Sequence, residues 1–310
     1  MQSLGWITVG LTYLLMVWGN LVSSTGSGLA CPDWPLCHGT ITPAISFPVV
    51  LEWGHRLLAF SAAVMIVLTI FKAFTSSLKT ESSLKRSTRS LLVLLGIQVL
   101  LGGTTVMLGL SVLVSTVHLI IATLVFSGLI TLACVMTWEN PIVSPVSSKV
   151  GRLAIAGLIG LLIQFTLGAL VRHGHSGLAC PNFPNCLNSI LPIPFTFETG
   201  IAFFHRWWGI LLLGVFVQLA SASARTTPAL SKASNTVLGI AILQVLLGIG
   251  TVMGKLNTET RAIHAAVGYA LWGVLFYISI RAGRLRWLWD APKSSRKPSS
   301  VLQQSHILPS

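Results

Sequence analysis

A chain of 310 residues that is 53% hydrophobic and only 9% charged is not an ordinary soluble domain, in which about a quarter of residues carry charge. Its net charge of +13 would suit a nucleic-acid binder, but the basic residues gather in alternate loops between apolar runs, which excludes that class. The composition points to an all-α membrane protein.

Eight apolar spans follow in chain order, near residues 4–23, 50–71, 90–109, 112–136, 153–171, 201–222, 235–254 and 262–280. Each approaches the ~20 residues that cross ~30 Å of hydrocarbon. Lipid offers backbone N–H and C=O groups no partner, so all eight are expected as helices. The first span has no basic leader and has a counterpart in span five, so it reads as retained structure rather than a signal peptide. The loop after it, about 24–49, holds Cys31 and Cys37. Span two carries Glu52, Trp53, His55 and Arg56, span three Gln98 and span four His118. A short loop makes spans three and four antiparallel neighbours, as it does seven and eight. The loop 172–200 holds Cys180 and Cys186, span six His205 and Arg206, span seven Gln244 and span eight His264.

The chain is a duplicated unit. Ser27-Gly28-Leu29-Ala30-Cys31-Pro32 returns 149 residues later as Ser176-Gly177-Leu178-Ala179-Cys180-Pro181, and His55-Arg56, Gln98 and His118 return as His205-Arg206, Gln244 and His264. The expected organisation is a four-helix unit over 1–138, a cytoplasmic linker over 139–152, a second four-helix unit over 153–285 and a disordered cytoplasmic tail over 286–310. Four spans per unit give both units one orientation, hence two tandem four-helix bundles related by a pseudo-two-fold axis along the membrane normal. Lys72, Lys79, Lys85, Arg86 and Arg89, then Lys149 and Arg152, Arg225 and Lys232, and the basic tail mark one side, against Arg172, Lys255 and Arg261 on the other. The positive-inside rule puts both termini in the cytoplasm and the cysteine loops outside.

His55, His118, His205 and His264 sit at one depth, about one or two turns below the outer ends of spans two, four, six and eight. Intramembrane histidines serve as interhelical hydrogen-bonding groups or as ligands. Four at matched depth, duplicated in pairs, favour axial ligation of haem iron. Zinc fits less well, because the cysteine or carboxylate ligands usual at such sites are missing. Pairing within units, His55 with His118 and His205 with His264, is the natural choice, with cross-pairing open. Arg56 and Arg206 are candidates for snorkelling or for binding haem propionates. Gln98 and Gln244 suit interhelical hydrogen bonds, with Gly102, Gly103, Gly248 and Gly250 permitting close packing or making room for a macrocycle. Glu52 breaks the symmetry: it lies three residues before His55, whereas Ala202 stands at that offset before His205. It is either a headgroup-level carboxylate paired with Arg56 or a carboxyl that moves protons or traps a reactive carbon. Glu198 is placed in the loop. Each cysteine pair can close a short loop, as a structural disulfide or an exchangeable one. Cys134 reads as inert core, His38, His173 and His175 as solvated loop residues, and Trp53, Trp207 and Trp208 as an interfacial belt.

These residues together resemble the heme A synthase family, of the bacterial type with two cysteine pairs. The resemblance runs from Thr25-Gly26-Ser27-Gly28 through Cys31-Pro32-Asp33-Trp34-Pro35-Leu36-Cys37-His38-Gly39 and Glu52-Trp53-Gly54-His55-Arg56 to His118, the second Cys-Pro loop, His205-Arg206 and His264. It implies oxidation of the C8 methyl group of haem O to a formyl group, giving haem A for haem-copper terminal oxidases. It implies substrate haem between His55 and His118, with Glu52 as the catalytic carboxylate, and a haem b cofactor between His205 and His264. Disulfides Cys31–Cys37 and Cys180–Cys186 are implied likewise. Implied partners are membrane lipid, a haem O synthase as supplier and an electron acceptor. A homo-oligomer is compatible with the pattern, and the location is a bacterial inner membrane. One departure is that the family's basic residue before the first Ser-Gly is replaced by Ser23 and Ser24, while the second unit keeps Arg172. Competing readings are a two-haem b-type cytochrome and a haem transporter.

Overall fold

The computed structural model describes residues 2–75, 82–137, 142–143, 145–187, 189–285 and 288. Among these the chain forms eight helices: α1 (Gln2–Ser24), α2 (Phe47–Thr75), α3 (Ser82–Met107), α4 (Val112–Thr137), α5 (Ser148–His173), α6 (Phe197–Thr226), α7 (Pro228–Met253) and α8 (Thr258–Arg281). Each is long and apolar enough to cross a membrane. The expected tail lies outside the described residues apart from Leu285's neighbour Leu288.

The helices outrun the expected spans because capping chemistry starts them early. α6 begins at Phe197 rather than near 201, because Thr196 accepts from Thr199 N and the Thr199 hydroxyl accepts from Thr196 N. Glu198 therefore stands in the first helical turn and not in the loop, where its carboxylate suits the helix N-terminus. Asn257 caps α8 by accepting from Thr260 N at 2.9 Å. Pro228, at the first turn of α7, lets that helix start with only Thr227 between it and the end of α6, seven residues before the expected span. α5 starts at Ser148, inside the stretch expected as linker, with Ser147 accepting from Lys149 N.

Helices α1, α4, α5 and α8 form the centre, and they carry the contacts between the two halves of the chain. The main core joins Phe126, Ile130 and Cys134 of α4 to Val150, Ala154 and Leu158 of α5 and to Leu271, Leu275 and Ile278 of α8. In lipid the hydrophobic effect does not drive helices together, so close packing and polar links must. Trp272 donates to Ser127 Oγ at 2.9 Å, joining α8 to α4. Tyr13 donates to Ala266 O at 3.1 Å, joining α1 to α8. Within the second half, Gly160 and Gly157 of α5 admit Leu212 and Phe216 of α6. Trp208, expected in the interfacial belt, instead points inward and donates to Gly160 O at 2.8 Å, because Gly160 leaves that carbonyl reachable. α6 and α7 pack closely and share a buried Ser223–Ser234 hydrogen bond of 2.8 Å, whereas α2 and α3 barely touch.

Both cysteine pairs form disulfides, Cys31–Cys37 and Cys180–Cys186, with all four residues buried. Each loop closes through the same two-way backbone bridge, Cys37 with Thr40 and Cys186 with Ser189. The repeat in the sequence is thus a repeat in loop structure.

Candidate functional site

Helix starts set the depth of the four histidines. His55 lies eight residues after Phe47 and His205 eight after Phe197, while His118 lies six after Val112 and His264 six after Thr258. At ~1.5 Å per residue they stand roughly 9–12 Å along their helices from the end that bears the cysteine loops. All four line one cavity of about 950 Å³, together with Glu52, Arg56 and Arg206.

Each imidazole lies against a glycine of a neighbouring helix. A Cβ on Gly19 would meet His55 Cε1 at 2.7 Å, and one on Gly168 would meet His205 Cε1 at 2.9 Å. Gly102 and Gly248 face His118 and His264 at 3.5 and 3.3 Å. Gln98 Nε2 is 3.2 Å from His118 Nε2, and Gln244 Nε2 donates to His264 O at 2.8 Å, so both glutamines make the interhelical bonds expected of them. Among the described residues, Nδ1 of all four histidines is buried without a protein partner.

This donor set fits haem. Among the described residues no three of His, Cys, Asp and Glu converge as a cage for a bare metal ion. The histidines instead offer two ligands per half, which suits an iron already held by four macrocycle nitrogens. The rings of His205 and His264 have centroids 6.5 Å apart, with planes at 81°. His55 and His118 line the same cavity.

Glu52 is 3% exposed and held from two sides. Its Oε2 accepts from Cys31 N at 2.8 Å, and its Oε1 from Arg56 Nη2 at 2.7 Å, one helical turn away. Arg56 also donates to Cys31 O at 3.0 Å, to Asp33 O at 2.7 Å and to Leu36 O. The carboxylate is therefore clamped between α2 and the first disulfide loop. The second half repeats the scaffold without the acid: Arg206 donates to Cys180 O and to Asn182 O, and Ala202 is buried beside Cys180 and Cys186. Both arginines, considered for snorkelling or propionate binding, are turned onto loop carbonyls. Asp33 braces the first loop by accepting from His38 N at 2.6 Å and Gly39 N at 2.7 Å. The Gly39 N–H above all, with that of His38, holds its carboxyl below the usual carboxylate range. Trp34 of the same loop packs on Gly103 of α3.

The boundary between the halves holds contacts that sequence reasoning missed. His173, expected as a solvated loop residue, is the last residue of α5; it is partly buried and lines the cavity. Arg172 reaches across to α1, donating to Ser23 Oγ at 3.0 Å, to Asn20 O at 2.9 Å, and to Asn20 Oδ1 and Ser24 Oγ. Arg261 adds a bond of 2.6 Å to Ser24 O. These donors meet the carbonyl end of α1, where cations are favoured. The repeat, which sets Gly168, Arg172 and His173 against Gly19, Ser23 and Ser24, singles out Arg172 but not its partners.

A multi-pass helical membrane protein with paired histidines in a shared cavity and a disulfide loop over each pair is a specific class of molecule. The chain belongs to the COX15-CtaA family, described as cytochrome oxidase assembly protein, whose profile matches residues 44–276. Similar curated proteins are named heme A synthase. That of Geobacillus thermodenitrificans is 31% identical over 304 residues, covering 92% of this chain and 93% of the relative. That of Bacillus licheniformis is 28% identical over 294 residues, covering 92% and 97%. That of Bacillus pumilus is 29% identical over 308 residues, covering 93% and 96%.

Proposed function

We propose that this chain is a heme A synthase, a membrane-bound oxidoreductase that converts the C8 methyl group of haem O to a formyl group by successive hydroxylation and loss of water. The carrying observation is the buried, doubly held Glu52 in only one of two otherwise matching histidine sites. A plain electron carrier needs no such difference between its halves.

In this reading His55 and His118 hold the substrate haem, and His205 and His264 hold a haem b cofactor. The bound cofactor supplies one-electron chemistry; the rest falls to the protein. Glu52 lines the same cavity as His55 and His118 and takes protons released there. Arg56 and the Cys31 amide keep its two oxygens in place, so the first loop acts as a positioning element. Glycines at 19, 102, 168 and 248 give the four imidazoles their seats. The two disulfides favour placing the cysteine loops outside the cytoplasm, and with them an inner-membrane location with both termini cytoplasmic. A haem O synthase as supplier and a separate electron acceptor complete the scheme.

The test is haem extraction from membranes of cells that express the chain together with a source of haem O. Haem A should appear with the parent protein. In Glu52→Ala the haem content should persist while haem A is lost. Haem b and haem O alone from the parent protein would point to an electron carrier or a transporter.

A further inference from the structure

The two halves share a scaffold but close differently at their outer helices. α6 and α7 seal against each other, while α2 and α3 part. Matched positions of the repeat show the result. Leu57 and Phe60 of α2 are 51% and 71% exposed; their counterparts Trp207 and Ile210 on α6 are partly covered. Val99 of α3 is 45% exposed, and its counterpart Val245 on α7 is partly covered. Leu57, Phe60 and Val99 nevertheless line the cavity that holds His55, His118 and Glu52. The same residues thus border both the histidine site and the lipid, so the first site opens sideways into the bilayer; Ile210 and Val245 line the cavity too but are partly covered, so the second opens less. Leu57, Phe60 and Val99, the exposed residues at its edge, are all apolar.

We propose that the gap between α2 and α3 is a lateral portal and subsite for a long hydrocarbon chain carried on the substrate macrocycle. This rests on the reading that His55 and His118 hold haem O. Haem O differs from haem b in bearing an isoprenoid chain, and the halves differ in whether such a chain has anywhere to go. Lipid tails are as apolar as the gap, so moving the chain from bilayer to gap gains little. Selection therefore works by exclusion: the sealed α6–α7 wall rejects the chain-bearing haem, and the open wall tolerates it. The opening directs each haem to its own half, and it lets a substrate dissolved in the bilayer arrive without crossing water.

The first experiment fills the gap in the whole protein with Ala63→Trp and Val99→Trp. Purified parent and variant are loaded with an equal mixture of haem O and haem b, and the bound haems are extracted and quantified. The variant should hold at least tenfold less haem O and keep its haem b. Parental haem O content in a variant that retains haem b would overturn the portal. A second experiment guards against misfolding. Phe60→Cys is labelled with an apolar maleimide from the membrane phase; the native free thiol, Cys134, is fully buried. Haem O bound beforehand should slow labelling severalfold and haem b should not, while Ile210→Cys should show no haem O protection. Equal protection of Phe60→Cys by both haems would also overturn the proposal. If parental haem O content is unchanged by His55→Ala, the assignment of substrate to the first half fails, a result distinct from failure of the portal.

Discussion

Gly168 offers a sharp test of how the second site is built. An alanine there would put its Cβ 2.9 Å from His205 Cε1 and 3.5 Å from Nδ1, where ordinary contact begins near 3.4 Å. The ring must retreat by about half an ångström, or its helix must shift. Overpacking of this kind costs about 1–3 kcal/mol. Retreat of an iron ligand transfers that cost to haem affinity, which should fall roughly 5- to 150-fold. The assay is a visible-absorption titration of haem b into Gly168→Ala in a His55→Ala background, so that only the second pair reports. Gly214→Ala on α6 is the control, because nothing lies within 4 Å of the added Cβ. Unchanged affinity in Gly168→Ala would refute the claim that this glycine seats His205.

Other expectations follow from the same geometry. Reducing the Cys31–Cys37 disulfide, or replacing both residues by Ala, should loosen the Cys31 amide from Glu52 and cut haem A formation at least tenfold; spectra of haem at the second pair should be unchanged. Arg172→Met should strip the α1 end of its cross-boundary donors, costing roughly 2–4 kcal/mol and lowering the thermal transition of the detergent-solubilised protein. Asp33 has a folded-state pKa below its unfolded value, so its contribution to loop stability is complete above the ordinary Asp range, about pH 4, and is lost as pH falls through the lower folded value. Proteolysis of the first loop should rise over that acidic window in the parent protein, and Asp33→Asn, the residue type found at Asn182, should flatten the dependence.

The spans, the duplication, the cysteine pairs and the depth of the histidines were all legible in the sequence, because each depends on local spacing. A run of apolar residues must be a helix in lipid whatever surrounds it. A histidine a fixed number of residues from a helix start has a fixed height. Glu52 could be singled out because the second half supplies an internal comparison, Ala202. Helix starts at Phe197 and Pro228 were less legible, since a capping box extended α6 and a first-turn proline started α7 ahead of the apolar runs.

Partnerships between distant segments were decided only by the tertiary structure. Arg56 reads in the sequence as a snorkelling or propionate-binding residue, and only the folded loop shows it donating to the carbonyls of Cys31, Asp33 and Leu36. Arg172 was visible as an isolated basic residue, but its grip on Asn20 and Ser23 spans about 150 positions and belongs to neither repeat alone. Gly19 and Gly168 drew no attention in the sequence, and the parting of α2 from α3 had no signature in composition. Spacing along a chain sets the height and face of a side chain; what stands opposite it depends on how helices are arranged around one another, which no single segment encodes.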